Sequence, residues 1–556
     1  MTTRFEDVPA LLDGLARLPP ERPALTFYKG KARAGHWTYG ELLGAIDRFA
    51  RQLRDELGVR QGDRVAVLSP NRLEVPALFL AAMKLGAAVV PLNPTTPPAD
   101  WDYILAHSEA RLVFGARDLL DRLVTRPDVV CAFEDAAAPG NVDGGEAPAV
   151  ATPAAAKSLA QQLAIVLYTS GTTGNPKGVA LGQGSLLANA WSMALNFRFE
   201  DETQLAVLPL YHAHALGFGL MTTLTTGGHL VFMERFDPFA WGEVLRVESV
   251  TLTSVVPTLL QPLLQIGVRA EKIPTLRAVL VSSAPLTASL ARAFEEKTKL
   301  RLLQGWGLSE YTNFACCLPA DLAEEERRRL LYGGELTCIG SPLPGTEVKV
   351  VGADGATLPA DQRGELCVRG HSTMLSYFRD EGATAATLGA DGWLRTGDEG
   401  FFQQAGEPPG STGGSQATAG GQQASAGGPA FFITGRIKET IIRDGDKFSP
   451  LAIERRIVTD LPEIEGRLVA LGFPHDVHGE EIGLYIENEE LGDDLRARLT
   501  RVVGEMPLDA RPKIILYGTT PIPRTHTGKI QRRKLHAAFA PFRSSRGALR
   551  IERAVV

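Results

Sequence analysis

An apolar run of strand length, Gln162–Tyr168, opens directly onto the stretch Tyr168–Val179, which reads YTSGTTGNPKGV. Thr169, Ser170, Thr172 and Thr173 bring hydroxyls to this loop, and Lys177 adds a point charge on a flexible stem. Gly171, Gly174 and Gly178 let backbone N–H groups turn toward a ligand with no Cβ in the way. A loop so dense in hydroxyls, glycine and lysine wraps phosphates, and its place at a strand end is where α/β proteins hold ligands. It is not a Walker A loop, which requires Ser or Thr after the lysine; Lys177 is followed by Gly178.

The chain has 556 residues, more than a single core accommodates, so at least two domains are expected. Near the N-terminus, helix-patterned segments (Tyr39–Leu57, Val75–Leu85) alternate with strand-like ones (Arg64–Leu68, Ala87–Leu92). Such repeats predict mostly parallel sheets flanked by helices. A net charge of −6 gives no footprint for nucleic acid. The five cysteines (Cys131, Cys316, Cys317, Cys338, Cys367) lack metal-site spacing and sit in apolar contexts, which reads as reduced, buried thiols. The opening MTTRFEDVPALL lacks signal-peptide architecture, and the apolar run Leu78–Leu92 is interrupted by Lys84 and too short to span a bilayer. The expectation is a cytoplasmic protein without a membrane span. Residues 405–430, rich in Gly, Ser, Gln and Ala, read as a flexible insertion between Phe401–Phe402 and Phe431–Phe432, at the tip of a hairpin.

Further motifs follow the loop in order: LPLYHAHALGF (Leu208–Phe218), VSSAPL (Val281–Leu286), QGWGLSE (Gln304–Glu310), TGD (Thr396–Asp398), GRIKETIIRDGDKFSP (Gly435–Pro450) and PRTHTGKIQR (Pro523–Arg532). Together they resemble the adenylate-forming enzymes, which include acyl- and aryl-CoA synthetases, peptide-synthetase adenylation domains and firefly luciferase. The resemblance covers nearly the whole chain and is nearest to the acyl- and aryl-CoA synthetase branch. It implies a large N-terminal α/β domain, residues 1–437, and a small mobile α+β domain, residues 438–556, hinged at Lys438.

On that resemblance Thr169, Ser170, Gly171, Thr172, Thr173, Gly174 and Lys177 would hold the β- and γ-phosphates of ATP. Ser283, Ala284 and Pro285 would approach the nucleotide, with Gln304, Gly305, Trp306 and Gly307 around the adenine and Trp306 stacked on it. Ser309 would reach the α-phosphate, while Glu310, helped by Thr172, would ligate Mg²⁺, a hard cation that takes oxygen ligands. Asp398 would accept from the ribose hydroxyls, supported by Arg436. Tyr211, His212, His214, Ser282, Gly307, Thr312, Asn313 and Phe314 would line the acyl pocket, His212 meeting the substrate carboxylate. Lys529 would be the catalytic lysine of adenylation, bridging carboxylate and α-phosphate. Arg443, Asp444 and Gly445 would meet coenzyme A after the small domain rotates. The locally basic stretch Lys529–Arg553 reads as a solvated face or as a contact for CoA phosphates or an acidic carrier protein.

The implied function is acid activation by ATP followed by transfer to the CoA thiol. Loading of a free-standing acyl carrier protein, catalysis of one half-reaction alone, and a silent adenylate-binding protein are the alternatives. Two departures from the family pattern bear on the substrate. Ser282 and Ser283 stand where relatives are richer in glycine, and Asn313 and Phe314 stand where many carry smaller apolar residues. The first bears on ATP geometry or acid size; the second points away from a simple long alkyl acid.

Overall fold

Among the described residues, three sheets of thirteen, seven and six strands organise the fold. The computed structural model describes residues 4–124, 127–134, 162–169, 176–334, 336–404, 428–525, 528–545 and 549–554.

The thirteen-stranded sheet has two halves. From Pro23–Lys29 through His229–Met233, Thr203–Ala206, Leu252–Val255 and Ala278–Val281 to Leu302–Gly307 every pairing is parallel. These strands are buried on both faces and read as nearly continuous apolar runs, as parallel strands under helices do. Beyond Leu302–Gly307 the sheet turns antiparallel, through Phe314–Cys317, Cys338–Pro342, Ala430–Arg436, Leu394–Gln403, Gly364–Gly370 and Thr346–Val351. The expectation of mostly parallel sheets therefore holds for the first half and is replaced in the second. Only the one-turn helix Ser309–Tyr311 lies between Leu302–Gly307 and Phe314–Cys317, and no helix lies between Thr346–Val351 and Gly364–Gly370; connections this short join antiparallel neighbours.

The hairpin around the low-complexity insertion is intact. Leu394–Gln403 pairs with Ala430–Arg436 from Asp398↔Arg436 to Gln403↔Ala430, and Phe401 stacks on Phe432 with ring centroids 5.1 Å apart. Pairing is thus set by the strands on either side of residues 405–427, which lie outside the described residues.

In the seven-stranded sheet Leu163–Thr169 pairs antiparallel with Lys177–Gly182, ending at Thr169↔Lys177. The phosphate-type loop is therefore a hairpin connection rather than a strand-to-helix turn. Ser170–Gly174, five of the expected phosphate ligands, lie outside the described residues.

The six-stranded sheet is built after Lys438 and packs apolar side chains on both faces. Along Leu468–His475, Leu468 and Ala470 enter one cluster while Val469, Leu471 and Phe473 enter another, the two-residue alternation of a strand. Among the described residues no buried apolar cluster has members on both sides of Lys438.

One buried ion pair anchors the strand that carries QGWG. Arg327, 1% exposed, holds Glu295 at 2.5 Å, while Glu295 accepts from the Leu302 N–H at 2.6 Å and Arg327 donates to the Leu302 carbonyl at 2.8 Å. Removing one partner of such a pair leaves the other charge buried and uncompensated. Arg327→Ala is expected to cost about 3 kcal/mol of stability by urea unfolding and to loosen nucleotide affinity through the start of Leu302–Gly307. A loss within about 0.5 kcal/mol, the range of ordinary surface substitutions, would contradict the assignment.

Candidate active site

Strand ends of both large sheets meet the six-stranded sheet around a cleft of about 2140 Å³. Asp398, on Leu394–Gln403, lines it with its side chain 6% exposed. Its Oδ2 accepts from the Trp306 indole N–H at 2.9 Å and its Oδ1 pairs with Arg436 Nε at 3.0 Å. The carboxylate lifts the Arg436 guanidinium above its ordinary pKa. Each oxygen keeps a further lone pair, which is what two ribose hydroxyls require. Trp306 is fixed in rotation by this bond, so its ring is held in place before any nucleotide arrives.

Glycine at 307 is obligatory for packing: a Cβ there would stand 1.7 Å from the Asn313 carbonyl oxygen. At 305 a Cβ would stand 2.5 Å from the Phe314 ring. The tight return of the chain after QGWG therefore needs both small residues.

Glu310 follows this strand. Its Oε1 accepts from the Tyr377 hydroxyl at 2.8 Å, and its carbonyl accepts from Met374 N at 2.8 Å. Burial first, then the Glu310 charge, push the Tyr377 phenol well above its ordinary pKa. The Lys177 ammonium lies 4.9 Å from the Tyr377 ring centroid and 3.8 Å from Asp380. Tyr377 thus couples the end of the phosphate hairpin to Glu310, and sequence reading did not single it out. No group of three metal-ligating side chains occurs among the described residues. Glu310 fits as a single carboxylate ligand to an Mg²⁺ that arrives with ATP, Oε2 being the oxygen not used by Tyr377. Thr172, the second expected ligand, is outside the described residues.

One wall of the cleft, which the sequence assigned to the acid, is lined by Tyr211, His212, His214, Ser282, Ser283, Asn313 and Phe314. His212 follows Tyr211, the two rings 4.6 Å apart. His214 opens a π-helical segment, His214–Met221. Its Nδ1 lies 3.0 Å from Ser282 Oγ and 3.1 Å from Ser283 Oγ. Burial alone lowers the His214 imidazole to about 3, so it is neutral at physiological pH. Ser283 adopts a φ of 71°, a left-handed conformation that glycine takes without strain and serine does not. Ser283 is thus strained, and its hydroxyl lies within hydrogen-bond distance of His214. Gln304 Oε1 is buried without a hydrogen-bond partner among the described residues.

Thr312 was expected among the acyl-pocket residues, but it does not line the cleft. It is 1% exposed at a φ of 65°, and its hydroxyl donates to the Ser372 carbonyl at 2.7 Å. That bond turns the side chain inward, and Asn313 and Phe314 take the wall.

Lys529 enters the cleft on a tight turn of the C-terminal part. Thr525 N donates to the Lys529 carbonyl at 2.7 Å and Lys529 N to Thr525 Oγ1 at 3.1 Å. Gly528 has a φ of 81°, and a Cβ there would be 3.4 Å from Thr258 on the helix Pro257–Ile266. Burial first, then Arg436, lower the Lys529 pKa; Asp398, Glu310 and Glu439 oppose them. Lys529 is therefore within the field of the residues that the sequence assigns to nucleotide and metal. Arg532, three residues on, pairs with Glu439 at 3.1 Å and Glu454 at 2.9 Å, which ties this turn to the segment after Lys438. Lys438 itself lies in the one-turn helix Ile437–Glu439 and lines the cleft.

Arg443, Asp444 and Gly445 do not line this cleft. Arg443 is buried against Glu481 at 3.2 Å and donates to the Asp509 carbonyl at 2.8 Å. Asp444 (φ 51°) and Gly445 (φ 89°) form a two-residue hairpin turn, so the glycine answers a turn requirement in this arrangement. Asp444 is paired with His478 at 2.8 Å.

Fold and site together define an α/β enzyme whose cleft is arranged for a nucleotide and an acid. The chain belongs to the AMP-binding enzyme family, whose model matches residues 13–378. A sulfoacetate–CoA ligase from Cupriavidus necator is 30% identical, with 96% of this chain and 97% of that protein covered. A 4-coumarate–CoA ligase-like protein from Oryza sativa is 31% identical over 90% of this chain and 87% of its own. Among solved structures, o-succinylbenzoate CoA synthetase from Bacillus subtilis in complex with its acyl-adenylate intermediate superposes with a TM-score of 0.76 at 25% identity, covering 94% of this chain and 97% of that one. No helix among the described residues is long and apolar enough to cross a membrane.

Because kcat/KM reports groups on the free enzyme, the lowered Lys529 pKa sets a sign. The ammonium is present below that pKa and lost above it. The kcat/KM for ATP is expected to fall with rising pH on a limb below the ordinary lysine value of about 10.4. Lys529→Arg, charged throughout, is expected to flatten the limb; an unchanged limb would show that another group titrates.

Proposed function

We propose that this chain is an ATP-dependent carboxylic acid–CoA ligase working in two half-reactions at one cleft. In the first, a carboxylate oxygen attacks the α-phosphorus of ATP, the bond to the β-phosphate breaks, and acyl-AMP and pyrophosphate form. In the second, the CoA sulfur attacks the acyl carbon, its proton goes to solvent, and AMP leaves. The observation that carries this reading is that Lys529 shares one cleft and one electrostatic field with Asp398, Arg436 and Glu310.

In this reading Asp398 and Arg436 orient the ribose, Trp306 stacks on the base, and Lys177 with the hairpin hydroxyls neutralises the β- and γ-phosphates. Glu310 takes the Mg²⁺ that accompanies ATP. His212 meets the incoming carboxylate, and Lys529 bridges it to the α-phosphate, stabilising the charge that builds there. The names of the relatives, CoA ligases acting on sulfoacetate and a 4-coumarate ligase-like protein, support CoA as the acceptor.

We further propose that residues 438–556 form a mobile domain that turns about Lys438, withdraws Lys529 and brings the Asp444–Gly445 turn to the cleft. The absence of any buried apolar cluster spanning Lys438 among the described residues supports this, because rotation then breaks polar contacts and no shared core.

Acid-dependent ATP–pyrophosphate exchange across fatty, aromatic and polycyclic acids tests the first half-reaction. Lys529→Ala is expected to reduce exchange by about 10²–10³-fold, the loss typical of one transition-state donor. Exchange with no acid would overturn the reading. Lys438→Pro is expected to leave exchange within about threefold and to depress thioester formation from supplied acyl-adenylate and CoA at least about thirtyfold. Equal loss in both assays would contradict the hinge.

A further inference from the structure

The acyl side of the cleft holds two buried polar side chains, each with one nitrogen that no described residue satisfies. His214 is 4% exposed and Asn313 is 7% exposed, and both line the cleft. His214 Nε2 and Asn313 Nδ2 have no hydrogen-bond partner among the described residues. Native interiors rarely leave such atoms unpaired, and each one calls for an explanation.

The two atoms are of one kind. Asn313 Nδ2 is a donor. At His214, two serine hydroxyls converge on Nδ1, at 3.0 and 3.1 Å. A neutral imidazole whose Nδ1 accepts from a serine carries its proton on Nε2. In the tautomer in which a serine hydroxyl donates to Nδ1, Nε2–H is the second donor. Burial keeps that imidazole neutral, with no charged neighbour contributing to its shift.

The two donors belong to one wall. A Cβ at Gly217, in the turn after His214, would stand 2.9 Å from Asn313 Nδ2, so the amide lies against the π-helical segment that His214 opens. The Phe314 ring meets the His214 ring edge-on at 5.2 Å and closes the apolar surround.

Resting on the ligase reading above, we propose that His214 and Asn313 select a carboxylic acid bearing an uncharged oxygen acceptor, a carbonyl, ether or hydroxyl. An alkyl isostere leaves both donors unpaired in a dry wall. A second carboxylate brings a charge that the neutral donors and aromatic rings around them do not compensate. Ser282 and Ser283 act as positioning residues that set the imidazole tautomer.

The test uses matched trios of acids in the exchange assay: 4-oxopentanoate, 4-methylpentanoate and pentanedioate, then 4-methoxybenzoate, 4-ethylbenzoate and benzene-1,4-dicarboxylate. In the trio that the enzyme accepts, the oxygen-bearing acid is expected to exceed its alkyl isostere by at least about tenfold in kcat/KM, chiefly through KM, and the diacid by more. Asn313→Leu is expected to bring the oxygen-to-alkyl ratio to about one, its circular dichroism and unfolding midpoint showing that the variant folds. An alkyl acid or diacid used as well as the oxygen acid overturns the proposal and leaves the ligase reading standing. So does a ratio that survives Asn313→Leu. If Asn313→Leu supports no exchange with any acid, Asn313→Ser decides in its place, with the same ratio expected to fall and an unchanged ratio overturning the proposal. Exchange with none of the six acids and with none of the wider panel above overturns the ligase reading and this proposal together.

Discussion

The Asp398 carboxylate is the contact on which the cleft depends. It joins three strands: its own, Leu394–Gln403; Leu302–Gly307 through the Trp306 indole; and Ala430–Arg436 through the Arg436 guanidinium. A buried carboxylate is tolerable only when its lone pairs and charge are met, and here the Trp306 indole and the Arg436 guanidinium, which the proposed function assigns to the nucleotide, meet both conditions. The same pairing fixes the Trp306 ring and holds Arg436 where it lowers the Lys529 pKa. Structure and preorganisation are therefore one arrangement, so substitution at Asp398 alters the cleft before it alters any step of chemistry.

The C-terminal sheet reaches this arrangement through a small number of polar contacts. Glu465 accepts from Thr287, the N-cap of the helix Ala288–Thr298, and from Ser289 at 3.0 Å. Gly528 packs near Thr258. Within the C-terminal part, Arg532 binds Glu439 and Glu454, so the Lys529 turn and the residues after Lys438 move as one piece if they move at all. Partly exposed polar contacts of this kind contribute little each and re-form with water, which suits a docking that must be both specific and released.

The fold class and much of the cleft were legible from the sequence because glycine, tryptophan and charged residues occur there in runs with one chemical purpose. Trp306, Asp398, Arg436, Glu310 and Lys529 come together in the structure although they span Trp306 to Lys529 in the chain. Less legible were residues whose role depends on packing alone. Tyr377 sits in an ordinary edge strand, and only the pairing of Ser376–Tyr377 with Lys177–Gly182 brings it to Glu310. Thr312 and Asn313 are neighbours of similar polarity, and the positive φ at Thr312 decides which of them faces the cleft. The antiparallel half of the large sheet escaped notice because pattern reading sees strand faces and not strand directions. Glu465 carries no local signal; its partner is set by tertiary docking.

The central claim is that the arrangement seen here, with Lys529 in the cleft, is the one that activates the acid and must be left before the thiol can react. Linking the two parts at their contact tests this directly. Cysteines at Thr287→Cys and Glu465→Cys, in a chain whose half-buried Cys131 is replaced by serine, are joined by a short bis-maleimide. Single-turnover formation of acyl-AMP and its chase with CoA are then followed in the same sample. The account predicts that the linked enzyme forms acyl-AMP within about threefold of the unlinked one and fails to pass it to CoA. Transfer to CoA at the unlinked rate would contradict it.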